Sequence, residues 1–389
     1  MPVLAEYESQ ELELTRRQAE ALQATGVVGV SPAPGARWRV TATSHVGTIA
    51  VEGVRLLIRP KIRPENLFLL LEPGLPPSAW RQQAFEYDAT SDLLPAVFAF
   101  FARTVETTLG RGVLRSYEVV KEPLIALRGR LDVIGQFRRA GVLTPMACTY
   151  DDFTEDIVEN RVLRAAIRRA LHVPAVAAAD RQRLMRQLVA LDAVADAPVR
   201  PDTVDSIHIT RLNKHYEPAL RLARLVLANM TLADAAGGTT ASSFVIDMND
   251  LFQRFVTERL RSALRGTLDV ISEPKEHLGL GGKVPMRPDL VFRRPKGGIV
   301  YVGDLKYKIA TEARGQTGDY YQLLAYATAM DLPEGMLIYC RRPGDEHERT
   351  VVVKHAGKRL VVRSIDLTGP PEAVEQEIAE LAARISRRR

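Results

Sequence analysis

Cysteine is scarce in this chain of 389 residues: there are two, Cys148 and Cys340, far apart in the sequence. Two thiols cannot build a four-cysteine iron–sulfur or zinc site, and both are expected to be buried and reduced. The seven histidines are scattered, with no HxxxH or HxH pair, which argues against a histidine-based zinc site. The longest apolar runs, such as Leu93 to Phe101, fall far short of the roughly 20 residues that a membrane helix needs. The opening residues, MPVLAEYESQELEL, are acidic and have neither the basic nor the apolar region of a signal peptide. A cytoplasmic location without a membrane partner is the expectation. A GxxxxGK[ST] loop is also missing. Gly279-Leu280-Gly281-Gly282-Lys283 has the wrong spacing and is followed by Val284 instead of a hydroxyl residue, so no nucleotide is expected to bind this chain. No internal repeat or low-complexity segment stands out.

What is there is ordinary in bulk. A hydrophobic fraction of 46% and a charged fraction of 26% are those of a globular protein, and the length suggests two or three domains. Net charge is +6 with a pI near 9.3, a mild excess that fits a polyanionic partner without requiring one. The excess clusters at Arg128, Arg130, Arg138 and Arg139, at Arg161, Arg164, Arg168 and Arg169, and at Arg387 to Arg389. Such clusters equally suit solvated helix faces and a frayed tail.

Periodicity divides the chain. WRVTATSHVGTIAV, a tight-turn signal at Glu52-Gly53 and VRLLIRPKI read as a hairpin over 38–62 that Pro60 closes, with a short helix at Arg16 to Ala24. Helices are expected from Ser91 or Asp92 to Leu109, from Thr154 to Leu171, from Asp180 to Asp192 and from Tyr216 to Leu232. The stretch Ser116 to Val133 looks extended. Gly237-Gly238-Thr239-Thr240 marks a boundary, beyond which the pattern becomes α/β. The expected fold is mixed α+β and multidomain: a β-rich N-terminal domain (1–90), a mainly helical middle region (91–236) and a C-terminal α/β domain (237–389).

The chemistry concentrates in two strand-like runs, Met286 to Arg293 and Ile299 to Lys308, around a Pro/Gly turn. A turn centred between Lys296 and Gly297 puts Asp289 opposite Asp304 or one diagonal away. Like charges directly opposite are destabilising. A divalent cation held between them removes that cost, and Mg²⁺ takes one or two carboxylates while keeping water on its other positions. Lys306, two residues after Asp304, leaves the same face of the strand. It can orient an attacking water or stabilise charge on a phosphate. These are the parts of a phosphodiester hydrolase.

The pattern resembles the PD-(D/E)xK (restriction-endonuclease-like) nuclease superfamily, with Pro288-Asp289 as one half and Asp304-Leu305-Lys306 as the other. Gln322 and Tyr326, at i, i+4 on the following helix, resemble the QxxxY element of RecB-like members. The resemblance implies catalytic roles for Asp289, Asp304, Lys306, Gln322 and Tyr326. It also implies a Mg²⁺ site, with Mn²⁺ as a possible substitute, on Asp289, Asp304 and the backbone carbonyl of Leu305. Members usually add an acid from a helix before the hairpin. Here that helix is MNDLFQRFVTERL, where Gln253 occupies the acid's place. Glu258 lies about 140° round the helix from Gln253, so either Glu258 or Asp250 serves from another face, or the site works with fewer carboxylates.

Across nearly the whole chain the sequence is similar to McrC, the nuclease subunit of McrBC-type (type IV) modification-dependent restriction systems. The similar stretches are His45-Val46-Gly47-Thr48-Ile49, Ile58-Arg59-Pro60-Lys61-Ile62, Leu127-Arg128-Gly129-Arg130-Leu131-Asp132, Glu159-Asn160-Arg161-Val162-Leu163, Met248-Asn249-Asp250-Leu251-Phe252 and the hairpin block. Many relatives are expected to carry Glu at the place of Gln253. The resemblance implies a DNA substrate and an McrB-like hexameric AAA+ GTPase as partner, one copy of this chain per motor ring, and a second copy of the chain for double-strand cutting. Arg59 and Lys61 are candidates for docking to the motor, and Arg128 and Arg130 for contact with DNA phosphates or the motor. Two other readings stay open: a stand-alone RecB-like nuclease, and a catalytically inactive regulator of the motor, which Gln253 favours.

Overall fold

A computed structural model describes residues 1–71, 93–139, 142–173, 176–229, 243–309, 317–341 and 347–387. The chain forms two compact units, one of Met1–Leu93 with Ala236–Arg389 and the other of Leu94–Ala235. The breaks fall near the boundaries expected at 90 and 237, but the first and last segments share one unit. The glycine-threonine boundary at 237–240 lies outside the described residues.

In the first unit the chain opens with β1 (Val3–Ala5), β2 (Ser9–Leu12) and α1 (Arg16–Ala24). Helix α1 begins where the sequence places it because Thr15 and Gln18 form a capping box, each side chain bonding the other's backbone amide. Strands β3 (Val28–Ala33), β4 (Arg37–Ala42), β5 (His45–Val51) and β6 (Val54–Arg59) and helix α2 (Pro64–Leu71) follow. The run WRVTATSHVGTIAV, expected as one strand, is two strands in two sheets. β4 lies in the order β2-β4-β3 and β5 in the order β1-β6-β5-β10, where β10 is Phe244–Asp247. The break sits at Thr43, whose hydroxyl donates to the Val27 carbonyl at 2.6 Å and meets His45 Nδ1 at 2.8 Å. These side-chain bonds replace the ladder there. The Glu52-Gly53 turn is as expected, both residues having positive φ between the Val51–Val54 pair.

The second unit carries α3 (Leu93–Leu109), β7 (Ser116–Leu124), β8 (Arg130–Leu131), α4 (Val133–Phe137), β9 (Met146–Thr154), α5 (Val158–Leu171), α6 (Ala178–Ala190) and α7 (Glu217–Asn229). The start of α3 at Ser91 or Asp92 and the expected end of α7 at Leu232 lie outside the described residues. Its core includes Val97, Phe98, Phe101, Leu163 and Ile167. Expected to be mainly helical, this unit also holds an antiparallel sheet in the order β7-β9-β8. Helix α5 starts four residues later than expected, because Thr154 ends β9 and its hydroxyl accepts the Asp156 amide. The motif Glu159-Asn160-Arg161 is spent on structure. Glu159 accepts from Asn213, buried Asn160 donates to the Leu114 and Glu155 carbonyls, and Arg161 pairs with Asp156. Arg164 and Arg168 both meet Asp196, so these arginines, like Arg161, are engaged within their own unit.

The chain returns to the first unit with β10, then α8 (Met248–Ala263), β11 (Asp269–Ser272), β12 (Glu276–His277), β13 (Pro285–Met286), β14 (Leu290–Arg293), β15 (Ile299–Ile309), α9 (Thr317–Ala329), β16 (Glu334–Arg341), β17 (Glu348–Val352), β18 (Arg359–Asp366) and α10 (Pro371–Ser386). β10 pairs with β5 across Gly47, where φ is +127° and a Cβ would stand 2.2 Å from the Phe244 carbonyl oxygen. Only glycine fits this approach. The main sheet runs β11-β14-β15-β16-β18-β17, antiparallel at β14–β15 and parallel at β15–β16 and β16–β18. Side chains alternate along β15. Val302 packs in the core that includes Leu323 and Tyr326 of α9, whereas Tyr307 turns to the opposite face and meets Phe252 of α8 at 6.0 Å between ring centroids. Among the described residues, no helix is long and apolar enough to cross a membrane.

Candidate metal centre

Leu290 pairs with Gly303 and Val291 with Val302, which makes Asp289 and Asp304 the next pair outward. Asp289 Oδ2 accepts the Leu305 amide at 2.7 Å, fixing one carboxylate to the opposite strand. The Asp304 side chain is wholly buried, with Oδ2 at 2.7 Å from Lys306 Nζ. Its Oδ1 is buried and has no hydrogen-bond partner. Burial first, and the Asp304 charge second, push Asp289 from its ordinary 3.8 up to about 7. Burial likewise raises Asp304, against the pull of Lys306. Burial alone would lower Lys306, but the facing charge of Asp304 and those of Asp289 and Asp319 carry it upward.

Helix α9 props this pair. Gln322 Nε2 donates to the Tyr326 hydroxyl at 2.6 Å, and that hydroxyl donates to the Arg287 carbonyl at 3.0 Å. The QxxxY pair therefore pins the backbone just before Pro288-Asp289. Burial, and then the two carboxylates, raise the Tyr326 pKa, so it stays a donor. In the first turn of α9 the buried Asp319 holds the Tyr339 hydroxyl and adds negative potential at Asp304 and Lys306. Sequence reasoning passed over Asp319, since an acid in a helix's first turn is ordinary.

Two opposed carboxylates, Asp289 half-buried and Asp304 wholly buried with an unmet oxygen, suit a divalent cation that keeps several waters. The family described as McrBC 5-methylcytosine restriction system component matches residues 40–340, this hairpin included. The chain belongs to that family. A chain of the refined half-complex from a tetradecameric assembly of Thermococcus gammatolerans McrB AAA+ hexamers with bound McrC matches at 20% identity. The match covers 98% of this chain and 99% of that one, with a TM-score of 0.56, and shows a shared fold. A chain of the Thermococcus gammatolerans McrBC complex matches at 21% identity over 68% of this chain and 88% of that one, with a TM-score of 0.43. No curated protein matches.

In this McrBC-family chain no third His, Cys, Asp or Glu joins the pair among the described residues. Glu258 is not brought to it: it pairs with Arg261 on its own helix, round from Gln253. Asp250 pairs with Arg254 at 3.0 Å. At the place of the helix acid, Gln253 Nε2 donates to Glu273 Oε1 at 3.0 Å, and the Glu273 amide donates to the Asp289 carbonyl at 3.1 Å. Glu273, with φ +47°, is thus an acid that Gln253 contacts, and sequence reasoning missed it. Extending the β11–β14 register beyond Ser272–Leu290 finds it, but that register exists only in the fold. The four candidate contact residues lie elsewhere. Arg59 is exposed at the end of β6, and Lys61 Nζ stands 5.3 Å from the Tyr7 ring centroid. In the other unit, Arg128 pairs with Asp152 at 2.7 Å over the Tyr150 ring, and Arg130 is exposed on β8.

Proposed function

We propose that this McrBC-family chain is the McrC-type, DNA-cutting subunit of a GTP-driven, modification-dependent restriction complex, with a PD-(D/E)xK nuclease centre. The observation that carries the reading is the unpartnered, buried Oδ1 of Asp304 facing Asp289, with Lys306 at 2.7 Å on the other oxygen. Asp289, Asp304 and the Leu305 carbonyl are the groups to hold Mg²⁺, with Mn²⁺ as a substitute. When bound, such an ion neutralises the carboxylates, polarises a phosphoryl oxygen and lowers the pKa of its water. The chain's own residues do the rest. Lys306 stays protonated and presents its ammonium to the developing phosphate charge. Tyr326 and Gln322 hold the Arg287–Asp289 backbone, and Leu305 fixes the Asp289 carboxylate.

The partner is inferred from the solved relative, in which McrC is bound to McrB AAA+ hexamers. That this chain has no phosphate-binding loop of its own supports assigning GTP hydrolysis to that partner. The β7-β9-β8 sheet is the better supported of the two contact regions. The connections and the helix α4 between its strands expose Ile125, Leu127, Ile134, Phe137 and Leu143, apolar side chains of the kind that mark protein contacts. Double-strand cutting calls for a second copy of the chain. The substrate follows from the family description, DNA carrying 5-methylcytosine or a related modification.

The test is cleavage of methylated and unmethylated plasmid by the wild type and Asp304→Ala, each mixed with its AAA+ partner, Mg²⁺ and GTP. Scission of methylated plasmid that needs the partner, GTP and Asp304 supports the reading. Stimulated GTP hydrolysis without scission by the wild type replaces it with a regulatory role, the reading that Gln253 favours.

A further inference from the structure

On the face of β15 opposite Lys306 lies a buried acid that the cutting chemistry does not use. Glu6, just past β1, is 0% exposed. Its Oε2 accepts the Lys61 amide at 2.7 Å and the Tyr307 hydroxyl at 3.1 Å, while Oε1 is buried without a partner. The next residue, Tyr7, has φ +60° and donates its hydroxyl to the Tyr307 carbonyl at 3.2 Å. Two consecutive residues thus grip Tyr307 by its side chain and by its backbone. An orphaned carboxyl oxygen in a protein interior is costly, and an apolar residue there would avoid it.

The grip falls where β15 loses its neighbour. The register of β15 on β16 continues to Lys306–Tyr339 and resumes at Ile309–Cys340, leaving Tyr307 and Lys308 as extra residues on β15. A bulge of this kind frees backbone groups and re-aims the side chains beside it. β16 therefore does not fix the strand directly after Lys306. The Tyr7 hydroxyl takes up the Tyr307 carbonyl, and Glu6 takes up the ring.

We propose that Glu6 and Tyr7 are positioning residues of the nuclease centre: by holding Tyr307 they hold the bulge that sets where the Lys306 ammonium stands. The proposal rests on the nuclease reading. A side chain displaced by an ångström from productive geometry can cost orders of magnitude in rate, so a remote hydroxyl can matter to cutting without touching DNA.

The experiment compares wild type, Tyr7→Phe, Glu6→Gln and Glu6→Leu as full chains. Amide exchange over 304–309 is read by mass spectrometry, with Mn²⁺ affinity by calorimetry and single-turnover cleavage in the partner complex. Tyr7→Phe is expected to speed exchange at 306–309 about tenfold relative to the rest of the main sheet, the effect of about one hydrogen bond. It should slow cleavage about tenfold with the KM for DNA and the Mn²⁺ affinity unchanged. Glu6→Gln still accepts from Tyr307 and Lys61 and should restore both readouts, whereas Glu6→Leu should behave as Tyr7→Phe does. Unchanged exchange at 306–309 with normal cleavage overturns the proposal alone, as does a uniform rise across the sheet. Faster local exchange in a protein whose wild type cuts no DNA overturns the nuclease reading and the catalytic half of the proposal with it.

Discussion

Asp289→Asn is expected to make the metal-free protein more stable, although it removes half of the centre. In the fold, Asp289 rises from an ordinary 3.8 to about 7 because it is buried and faces Asp304. The folded state therefore binds this proton more tightly than the unfolded chain does. The stability it contributes is present at low pH and is lost as pH rises from about 4 to about 7. A rise of that size corresponds to ~4 kcal/mol. Asparagine removes the charge but leaves a buried polar group, and its Oδ1 can still accept the Leu305 amide now at 2.7 Å. About half of the cost, roughly 2 kcal/mol, is then recovered at pH 8 and almost none at pH 4.5. For a unit of this size that is a Tm gain of about 4–8 °C. The assay is thermal unfolding in EDTA at the two pH values, repeated at pH 8 with Mg²⁺, which should raise the wild type and leave Asp289→Asn where it was. A metal-free Asp289→Asn variant no more stable than wild type at pH 8 would refute the claim that the two carboxylates are held together at a cost.

Metal affinity should follow the same proton. Because burial and the Asp304 charge push Asp289 up to about 7, Mn²⁺ binding read by calorimetry is expected to weaken about tenfold per pH unit below that value and level off above it. Lys306→Gln, which takes the ammonium from 2.7 Å of Asp304, should keep the fold and Mn²⁺ binding while lowering single-turnover cleavage by about 10²–10³. Tyr326→Phe deletes the donor to the Arg287 carbonyl. It should lower stability by about 1 kcal/mol in denaturant unfolding, with a fall in cleavage that Gln322→Ala reproduces in part.

Local chemistry made some of this legible. Asp289 stands against Asp304 as expected but not by the expected turn: Arg293 pairs with Ile299, one residue off a turn centred between Lys296 and Gly297, and a register shift after Phe292 restores the Leu290–Gly303 pairing. Helix α1 was readable to the residue because Thr15 and Gln18 cap it within four positions. The break between β4 and β5 was not, since Thr43 ends the strand by bonding Val27, which lies 16 residues earlier, just before β3. Glu6, Tyr7 and Glu273 were invisible for a related reason. Their partners are Tyr307, Lys61 and Gln253, and only tertiary packing brings those within reach. The Glu159-Asn160-Arg161 motif shows the converse, a signature whose residues are all engaged in holding their own unit together.

Because β10 closes the sheet against β5, order of synthesis has a consequence. Ser243, which bonds Ala50, lies 193 residues after it. At ribosomal rates of 5–20 residues per second, β5 waits roughly 10–40 s with an unpaired edge. That edge carries Val46 and Ile49, and an open apolar edge invites pairing with other chains. The second unit is translated within this interval and can fold meanwhile, whereas the first cannot close until its late half emerges. A chain halted before residue 244 would carry a finished second unit and an open sheet, a form for chaperones to shield or proteases to clear. Since Asp289, Asp304 and Lys306 all follow β10, the strands that carry the candidate metal centre are made only after the strand that closes the edge.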